Sequence, residues 1–353
     1  MGYSNQTSEA IELLKQMISI ESFSRNELQV ADFLQKWLKN KGLDVNRKGN
    51  NIWVWACEKD NSKPTILLNS HIDTVKPGSG WNSDPLVATV LNDQLTGLGS
   101  NDAGASVVSL IQAFLFLKET SQSYNLVLAI TAEEEISGMN GVGSLFEELG
   151  TIDLAIVGEP TQMNMAIAER GLLVLDCHVA GKTGHAARNE GVNAIYEALP
   201  IINWFKTYSF DKISDRLGPV KMTVTQIESG SQHNVVPDNC HFVVDIRINE
   251  YYSNHEIFEA ISQMINCKIE PRSFRLNSSR IEIDHPIVLR GLEIGLTPYG
   301  SPTTSDQAIM NFTTIKIGPG DSARSHTANE YISFSEIELG INTYTKLLNG
   351  LVI

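Results

Sequence analysis

The chain has 353 residues, of which 42% are hydrophobic, and its formal net charge is −14. This length and apolar content suffice for two domains with buried cores. The acidic balance argues against a basic surface for nucleic acid or anionic membranes. No apolar stretch approaches the roughly 18 residues that span a bilayer. The polar N-terminus "MGYSNQTSEA" lacks a secretory pattern. We therefore expect neither a nucleic-acid nor a membrane partner.

The four cysteines are widely spaced and form no C-x-x-C pair; they are Cys57, Cys177, Cys240 and Cys267. This usage indicates neither a zinc knuckle nor a disulfide scaffold. The expected compartment is therefore the cytoplasm.

The first part of the chain alternates helical and strand patterns. "SEAIELLKQMISI" predicts a helix capped by Ser8, and "NELQVADFLQKWLKNKG" predicts a second helix between an Asn26 cap and a Gly42 stop. Buried strands are predicted in "PTILLNSHID", "NLVLAIT" and "DLAIVGEP", with the helices "GASVVSLIQAFLFLKE" and "GVGSLFEELG" between them. Apolar strands separated by helices indicate an α/β fold with a sheet covered on both faces.

From about Arg170 the pattern changes to β-α-β-β-α-β, which is the ferredoxin-like order. The strands are "GLLVLDCHVAG", "VKMTVTQIES", "NCHFVVDIRIN" and "CKIEPRSF", and the helices are "VNAIYEALPIINWFK" and "SNHEIFEAISQMI". The α/β pattern returns after about Ser279. We therefore predict a discontinuous domain, residues 1–169 and 280–353, with residues 170–279 inserted.

Histidines and acids stand where the apolar runs of the α/β part end. They are His71 and Asp73 in "NSHIDT", Asp102 in "GLGSNDAGAS", Glu133, Glu134 and Glu135 in "TAEEEISG", Glu159 in "VGEPT", and His326 in "GPGDSARSHTANEY". In α/β sheets such strand ends form the ligand crevice. Nitrogen and oxygen ligands of this kind suit zinc, cobalt or manganese better than calcium or an iron–sulfur cluster.

Each of these residues also has an ordinary structural explanation. Asp102, just before a helix, is in the position of an N-cap. Glu159 suits a loop acid, and His326 suits a surface turn. His71 and Asp73 are two positions apart, so on an extended segment they point the same way. That spacing suits a strand-end turn, and it equally suits a carboxylate that orients a metal-bound imidazole.

The order of motifs resembles the M20 metallopeptidase and deacylase family. The motifs are "SHIDTV", "GSNDAGAS", "TAEEEISG", "VGEPT", "GKTGHAARNEGVNAI", "HNVVPDNC", "DIRIN" and "GPGDSARSHTANEY", and they extend over nearly the whole chain. Within the family the chain most resembles enzymes of the acetylornithine deacetylase and succinyl-diaminopimelate desuccinylase type. "VGEPT" and "GPGDS" are most similar to the acetylornithine deacetylase and lysine-biosynthesis hydrolase branch. The resemblance implies a zinc-peptidase-like catalytic domain with a helix-covered mixed sheet, and an inserted ferredoxin-like lid and dimerisation domain.

The resemblance also implies a site for two divalent metal ions, with zinc expected and cobalt as the alternative. Its implied ligands are His71 and Glu159 for the first metal, Glu135 and His326 for the second, and Asp102 bridging both. It further implies a cis peptide bond after Asp102.

Three residues are implied as catalytic by the same resemblance. Glu134 is the general base, and Asp73 supports His71. His185 in "GKTGHAA" stabilises the oxyanion and reaches the neighbouring subunit's site in a homodimer, although an ordinary loop histidine is the alternative. Glu133 has no metal or catalytic role in the family pattern, so we expect it to support its loop.

Asn234, Arg247 and Thr304 match family positions that contact the substrate, and a planar guanidinium such as that of Arg247 suits a carboxylate. A solvated strand residue is the alternative for Arg247. Glu169 and Arg324 are further candidates. Glu169 stands where the desuccinylase branch has Arg, and Ser322 where it has Asn. Both departures argue against diaminopimelate as the substrate. The carboxylate of Glu169 is instead a candidate to bind a side-chain amine of the substrate, such as that of ornithine.

The leading functional hypothesis is hydrolysis of an N-acyl group from the α-nitrogen of a small amino acid. N-acetyl-L-ornithine or N-succinyl-L-ornithine is the favoured substrate, which would place the enzyme in arginine biosynthesis. The alternatives are an N-acyl or carrier-protein lysine hydrolase of lysine biosynthesis, and a di- or carboxypeptidase. A non-catalytic metal-binding relative is disfavoured, because every expected ligand and base position is filled.

Overall fold

The computed structural model describes residues 3–353. Backbone contacts divide the chain into two compact units. The first contains the residues up to Ile167, Ile281–Tyr299 and Ser305–Ile353, and the second contains Ala168–Arg280 and Gly300–Thr304. The predicted roles of the two domains stay predictions.

The helices of the described residues are α1 Asn5–Ile18, α2 Leu28–Asn40, α3 Ala105–Leu117, α4 Phe146–Leu149, α5 Ala194–Thr207, α6 Asn254–Met264, α7 Pro286–Glu293 and α8 Phe334–Leu348. Short 3-10 turns occupy Val142–Leu145, Asp306–Ile309 and Ser322–Arg324, and a π-type turn occupies Ser100–Gly104.

The strands are β1 Asn46–Lys48, β2 Asn51–Trp55, β3 Thr65–His71, β4 Thr89–Leu91, β5 Gln94–Thr96, β6 Asn125–Thr131, β7 Leu154–Val157, β8 Met165–Glu169, β9 Gly171–Ala180, β10 Gly184–His185, β11 Lys221–Ser229, β12 Val235–Val236, β13 Asn239–Ile248, β14 Lys268–Pro271, β15 Ser279–Arg280, β16 Pro298–Ser301, β17 Thr314–Lys316 and β18 Tyr331–Ser333. The predicted strands in "PTILLNSHID", "NLVLAIT" and "DLAIVGEP" are β3, β6 and β7.

The large sheet is mixed, which confirms the predicted fold class. Its order is β1-β2-β6-β3-β7-β17-β8-β15, with β16 beside β8. Strands β6, β3, β7 and β17 run parallel, whereas β2 and β8 are antiparallel to their neighbours. Alternate side chains of β3 and β6 face opposite ways. Leu68 and Leu128 join the core formed with α1, α2, α3 and α8, and Leu67 and Val127 pack with the 142–149 segment. Both faces are therefore covered.

The predicted N-cap was wrong by one turn at α1 and by one residue at α2. Helix α1 begins at Asn5, because the Ser4 hydroxyl accepts the N–H of Thr7, and Thr7 is buried. The prediction relied on the spacing of apolar residues, and that spacing does not indicate that the polar residue Thr7 is buried. Helix α2 begins at Leu28 without a side-chain cap. Its backbone turns first at Asn26, whose N–H donates to the carbonyl of Phe23.

The expectation about apolar stretches also needs correction. The window Ser100–Leu117 has a mean hydropathy of 1.2, so by length and composition alone it could cross a membrane. However, 83% of that window is buried inside the protein. Helix α3 is apolar all round because it packs against α1, α8 and β3 in the core of the first unit.

The second unit contains the predicted β-α-β-β-α-β elements. They are β9, α5, β11, β13, α6 and β14, and their antiparallel sheet has the order β11-β13-β9-β14. Strand β9 alternates between buried and half-buried residues, so one face of the sheet packs on the helices. A pair of two-residue strands, β10 and β12, was not predicted.

Candidate metal centre and active site

The parallel strands of the first unit bring their carboxyl ends to one edge of the sheet. In register, His71 of β3 pairs with Thr131 of β6, and Asn69 pairs with Val157 of β7. The glutamates of "TAEEEISG" therefore begin just beyond His71, and Glu159 is level with it. This strand register explains why residues far apart in sequence share one crevice.

The ring of His71 is buried and has two distinct sides. Its Nδ1 lies 2.9 Å from the backbone oxygen of Asp73. Its Nε2 faces three carboxylates, at 3.3 Å from Asp102 Oδ1, 3.6 Å from Glu159 Oε1 and 3.9 Å from Glu134 Oε2. A proton on Nδ1 satisfies the Asp73 carbonyl and leaves the Nε2 lone pair directed at the acids. That is the tautomer of a metal-binding imidazole.

The second predicted histidine meets the same cluster. His326 Nε2 lies 2.8 Å from Glu135 Oε2 and 3.8 Å from Asp102 Oδ2. The two oxygens of Asp102 therefore face different histidines, His71 and His326. This is the arrangement that a bridging carboxylate requires.

The structure brings together all five predicted ligands and the predicted base. This ligand cluster consists of His71, Asp102, Glu134, Glu135, Glu159 and His326. Two triads within it have ligand atoms within 4.8 Å of one another: His71, Glu134 and Glu159, and His71, Asp102 and Glu135. Glu134 thus lies among the ligand atoms themselves. The assignment of ligands to individual metals stays a prediction.

Asp73 contacts both His71 and the backbone of the segment that carries Glu134 and Glu135. Its carboxylate accepts the N–H groups of Glu134 at 3.0 Å and Glu135 at 3.1 Å, and the hydroxyl of Ser24 at 2.8 Å. Its Oδ1 lies 3.5 Å from Nδ1 of His71, so the closer contact to that ring is made by its carbonyl. Burial raises the pKa of Asp73, but His71 and these donors outweigh it, and the net pKa is lowered.

Asp102 does not cap the following helix. Helix α3 starts at Ala105, and no side chain caps it. Asp102 and Ala103 have non-helical backbone angles inside the preceding turn, and the peptide bond between them is cis, as expected. The turn directs the Asp102 side chain into the ligand cluster instead.

Glu133 is turned away from the ligand cluster by a positive φ of 58°. Its carboxylate accepts the N–H of Asn140 at 3.2 Å and the Asn140 amide at 2.8 Å. A Cβ on Gly138 would lie 2.0 Å from Glu133 Oε2. Glu133 therefore supports the 133–140 loop.

Glu330 was not singled out from the sequence. It lies four residues after His326 and is 3% exposed, and its carboxylate accepts the backbone N–H groups of Gly99, Asn101 and Asp102. Burial raises the pKa of Glu330 to about 7, although these N–H groups oppose the shift. The sequence shows it only as an acid in the "HTANEY" turn, because its partners are 228 to 231 residues away.

The candidate residues His185 and Asn234 lie together in the second unit. His185 of β10 pairs with Val235 of β12, and the carbonyl of Asn234 accepts the N–H of Ala186. Both side chains are exposed. Nδ1 of His185 accepts the N–H of the neighbouring residue Ala187 at 3.1 Å.

Arg247 is oriented by side chains of its own unit. The carboxylate of Asp245 accepts a bidentate pair of hydrogen bonds from the Arg247 guanidinium, at 2.8 Å from Nε and 3.0 Å from Nη2. Nη1 donates to the hydroxyl of Thr304 at 3.1 Å, and that hydroxyl donates to the carbonyl of Arg170 at 3.1 Å. The structure thus places two predicted substrate residues, Arg247 and Thr304, in direct contact.

The remaining two candidates have structural surroundings of their own. Glu169 is fully buried in the second unit, so its carboxylate is not exposed to a ligand in this structure. Arg324 of the first unit forms an ion pair with Glu336, at 2.8 Å, and its guanidinium lies over the ring of Tyr331 at 4.3 Å.

The sequence pattern of peptidase family M20/M25/M40 matches residues 67–350. The chain belongs to this family. The match begins within β3 and ends after α8, so it covers every member of the ligand cluster. The M20 resemblance inferred from the motifs is thereby confirmed.

Several curated members of the M20 family are similar to this chain. A peptidase M20 domain-containing protein of Schizosaccharomyces pombe is 29% identical, over 96% of this chain and 84% of its own length. The succinyl-diaminopimelate desuccinylase of Orientia tsutsugamushi (strain Ikeda) is 27% identical, over 72% and 71%. A probable carboxypeptidase of Talaromyces marneffei is 25% identical, over 98% and 86%. The relatives therefore include a desuccinylase, which belongs to the N-acyl hydrolase class, and a probable carboxypeptidase.

Solved structures share the fold. The aminopeptidase PepT of Bacillus cereus superposes with a TM-score of 0.77 at 20% identity, covering 97% of this chain and 98% of its own. An M20 metallo-carboxypeptidase of Sulfolobus solfataricus gives a TM-score of 0.76 at 17% identity, covering 98% and 99%.

The charge of the ligand cluster fits divalent cations. Burial and the neighbouring acids raise the pKa of Glu134 well above its usual range and that of Glu159 to about 8. The hydrogen bond to Glu135 raises the pKa of His326 to about 9. Glu134, Glu159 and His326 therefore hold protons more tightly than isolated groups of their kind. Oxygen and imidazole nitrogen donors suit zinc and related ions, which would relieve this excess negative charge.

Proposed function

We propose that the protein is a two-metal amidohydrolase that removes an N-acyl group from the α-nitrogen of a small amino acid. One observation carries the proposal: Glu134, a carboxylate with a raised pKa, lies within ligand distance of His71 and Glu159. A metal site that serves only structure needs no further acid there. An additional acid beside the ligands is what hydrolysis requires.

Five residues would hold the two metal ions. His71 and Glu159 would bind one, Glu135 and His326 the other, and Asp102 both. Zinc is the favoured metal and cobalt the alternative, since each accepts this mixed donor set. When bound, such ions supply Lewis acidity toward the amide carbonyl and lower the pKa of water toward 7.

Glu134 moves the proton in this proposal. Its carboxylate accepts a proton from the attacking water as the C–O bond forms. It then delivers that proton to the leaving nitrogen as the C–N bond breaks. The products are a carboxylic acid and an amine, and the acid's proton then passes to the amine to leave a carboxylate and an ammonium group. In the metal-free protein burial raises the pKa of Glu134, so this carboxylate takes up a proton more readily than an exposed one. Acid–base assistance of this kind contributes about 10²–10⁴-fold to the rate.

Residues of the second unit would bind the substrate's own carboxylate. Arg247 is oriented by Asp245 through its Nε and Nη2 edge, which leaves further N–H groups on Nη1 and Nη2. Asn234 and Thr304 would contact the same region. Arg324 and Glu169 would contribute only after their present contacts or burial change. N-acetyl- or N-succinyl-L-ornithine remains the favoured substrate, with arginine biosynthesis in the cytoplasm as the setting.

We further propose a homodimer in which His185 reaches the partner's active site. Exposed apolar side chains on α5 and β11 support this: Tyr196 is 68% exposed, Leu199 55% and Ile227 54%. Strand β11 is also an edge of its sheet, with free pairing capacity toward a second strand. His185 would then donate to the developing oxyanion of the substrate.

The alternatives use the same site. A dipeptidase or carboxypeptidase, supported by the Talaromyces relative, would cut a peptide bond with the same base. A lysine-biosynthesis hydrolase would differ only in the side chain and the group removed. The non-catalytic alternative is opposed by the presence of Glu134 in the cluster.

A substrate screen tests the proposal. The zinc-loaded full-length protein is assayed against N-acetyl-L-ornithine, N-succinyl-L-ornithine, the corresponding lysine derivatives and dipeptides, with Glu134→Gln as the matched control. We expect hydrolysis of N-acyl amino acids with a higher kcat/KM than for dipeptides, and a kcat about 10²–10⁴-fold lower for the variant. Hydrolysis of dipeptides alone would favour the peptidase, and no hydrolysis of any amide would refute the enzyme assignment.

A further inference from the structure

Glu330 is a buried acid whose carboxylate accepts three backbone N–H groups of the loop that carries Asp102. Its Oε1 accepts the N–H groups of Asn101 and Asp102, each at 2.8 Å, and its Oε2 accepts that of Gly99 at 2.9 Å. Both oxygens of Glu330 therefore act as acceptors for backbone N–H groups. The loop that carries Asp102 is thus bound to a side chain of the residue immediately before β18.

This loop is a distorted π-type turn, in which the N–H of Gly104 donates to the carbonyl of Gly99 at 3.0 Å. Gly99 has a left-handed φ of 72°, and Asp102 and Ala103 depart from helical angles before α3 begins. Buried N–H groups need an acceptor, and those of Gly99, Asn101 and Asp102 find it in Glu330. The position of the Asp102 backbone therefore depends on Glu330.

A second contact joins the same loop to the segment before His326. The Asn101 side chain accepts the N–H of Asp321 at 2.9 Å and donates to its carbonyl at 3.1 Å. The approach is close, because a Cβ on Gly320 would lie 2.3 Å from Asn101 Oδ1. The Asp102 loop is therefore attached to the chain on both sides of His326, at Asp321 and at Glu330.

We propose that Glu330 is a positioning residue that sets the Asp102 carboxylate between His71 and His326 for metal binding. The proposal rests on the proposed function only in that the ligand cluster binds metal. Asp102 Oδ1 lies 3.3 Å from His71 Nε2, and its Oδ2 lies 3.8 Å from His326 Nε2. Metal–ligand distances tolerate only about 0.2 Å, so a displaced loop would impair both contacts.

The experiment measures the affinity of the metal-free, full-length protein for Zn²⁺ alone, by competition with a chromophoric chelator. The test variants are Glu330→Gln and Glu330→Asp. Glutamine replaces one oxygen with an NH₂ donor that faces backbone N–H groups, whereas aspartate keeps the charge but shortens the reach. Partners that hold a ligand in place typically contribute 10–100-fold to metal affinity, so we expect zinc binding about 10–100-fold weaker for Glu330→Gln.

Glu27→Gln is the matched control. Glu27 is also fully buried and accepts a backbone N–H, that of Arg25 at 2.6 Å, together with the Asn50 amide at 2.9 Å. It contacts no member of the ligand cluster in these bonds. We expect Glu27→Gln to lower thermal stability while zinc affinity stays at the wild-type value.

The outcomes separate the two claims. Wild-type zinc affinity in a folded Glu330→Gln would overturn the positioning role. If that variant does not fold, wild-type affinity in Glu330→Asp overturns it equally. A wild-type protein that binds no zinc contradicts the proposed function itself, and the positioning role with it.

Discussion

His326 Nε2 lies 2.8 Å from Glu135 Oε2, although 191 residues separate the two in the chain. This hydrogen bond raises the pKa of His326 to about 9, so in the absence of metal the pair retains a proton. A divalent cation at the same place would replace that proton, since metal ligands bind in their deprotonated forms. The contact therefore joins the ends of two distant segments into half of the proposed metal site.

Glu135→Ala should weaken zinc binding more than Glu133→Ala. Glu135 faces His326, whereas Glu133 bonds only within its loop to Asn140 in the contacts described above. We expect the Glu135 variant to lose more than the roughly 100-fold typical of a supporting residue. Glu133→Ala should keep zinc affinity and lose about 1 kcal/mol of stability. Zinc titration and denaturant unfolding measure the two effects. Equal losses of zinc affinity would contradict the assignment.

Asp73→Asn should reduce both stability and zinc affinity. The Asp73 oxygens accept the N–H groups of Glu134 and Glu135, and an asparagine keeps only one of these acceptors. One unsatisfied buried N–H costs about 1–3 kcal/mol of unfolding free energy. Misplacement of His71 and Glu135 should lower zinc affinity by about 10–100-fold. A less stable variant with unchanged zinc affinity would show that Asp73 serves the fold alone.

Arg247→Lys should raise KM for substrates with a free carboxylate. Asp245 orients the planar guanidinium of Arg247, which can bind a carboxylate through two N–H groups, and the ammonium group of lysine cannot reproduce this geometry. A hydrogen bond to a charged group is worth about 1.5–3 kcal/mol, so KM should rise by roughly tenfold or more. Steady-state kinetics with N-acyl amino acids and with their carboxamide analogues make the comparison. A similar rise for both substrate series would argue that Arg247 does not bind the carboxylate.

The ion pair between Asp176 and Arg272 should stabilise the protein in a pH-dependent way. Two hydrogen bonds from Arg272, at 2.7 and 3.0 Å, and one from His241 lower the pKa of Asp176 to about 2. Its unfolded pKa is about 3.9. The stabilisation is therefore complete above about pH 4 and is lost as the pH falls toward 2.

Arg272 is half-exposed, so the pair is worth only about 0.2–1 kcal/mol. Denaturant unfolding of the wild type and of Arg272→Ala across this pH range tests the expectation. The difference between them should be constant from pH 7 to about pH 5 and should shrink below pH 4. A difference that grows on acidification would be inconsistent with the ion pair as its source.

Much of the fold follows from the sequence because the central strands of the large sheet are mainly apolar. "PTILLNSHID" and "NLVLAIT" predict β3 and β6, since a strand covered on both faces has no polar side. The cap of α1 at Ser4 was missed, because the buried Thr7 breaks the apolar period. The short strands β10 and β12 carry no period of their own, so only tertiary pairing defines them.

The members of the ligand cluster could be predicted from the sequence, and so could the supporting residue Asp73, but the supporting residue Glu330 could not. His71, Asp102, Glu135, Glu159 and His326 each stand at a strand end or in a glycine-rich loop, where polarity changes abruptly. Glu330 has no such local sign, since its acceptor role arises from N–H groups of a distant loop. Likewise, the burial of Glu169 depends on packing within the second unit, which composition does not reveal.

The kcat of Glu134→Gln, measured together with its zinc content, tests the central claim most directly. The glutamine keeps the size of the side chain but cannot accept and return a proton, and the five proposed ligands remain. We predict that kcat for the best N-acyl amino acid falls by about 10²–10⁴-fold while zinc binds in the wild-type stoichiometry. A variant that retains both its zinc and the wild-type kcat would contradict the role of Glu134 and the hydrolytic mechanism built on it.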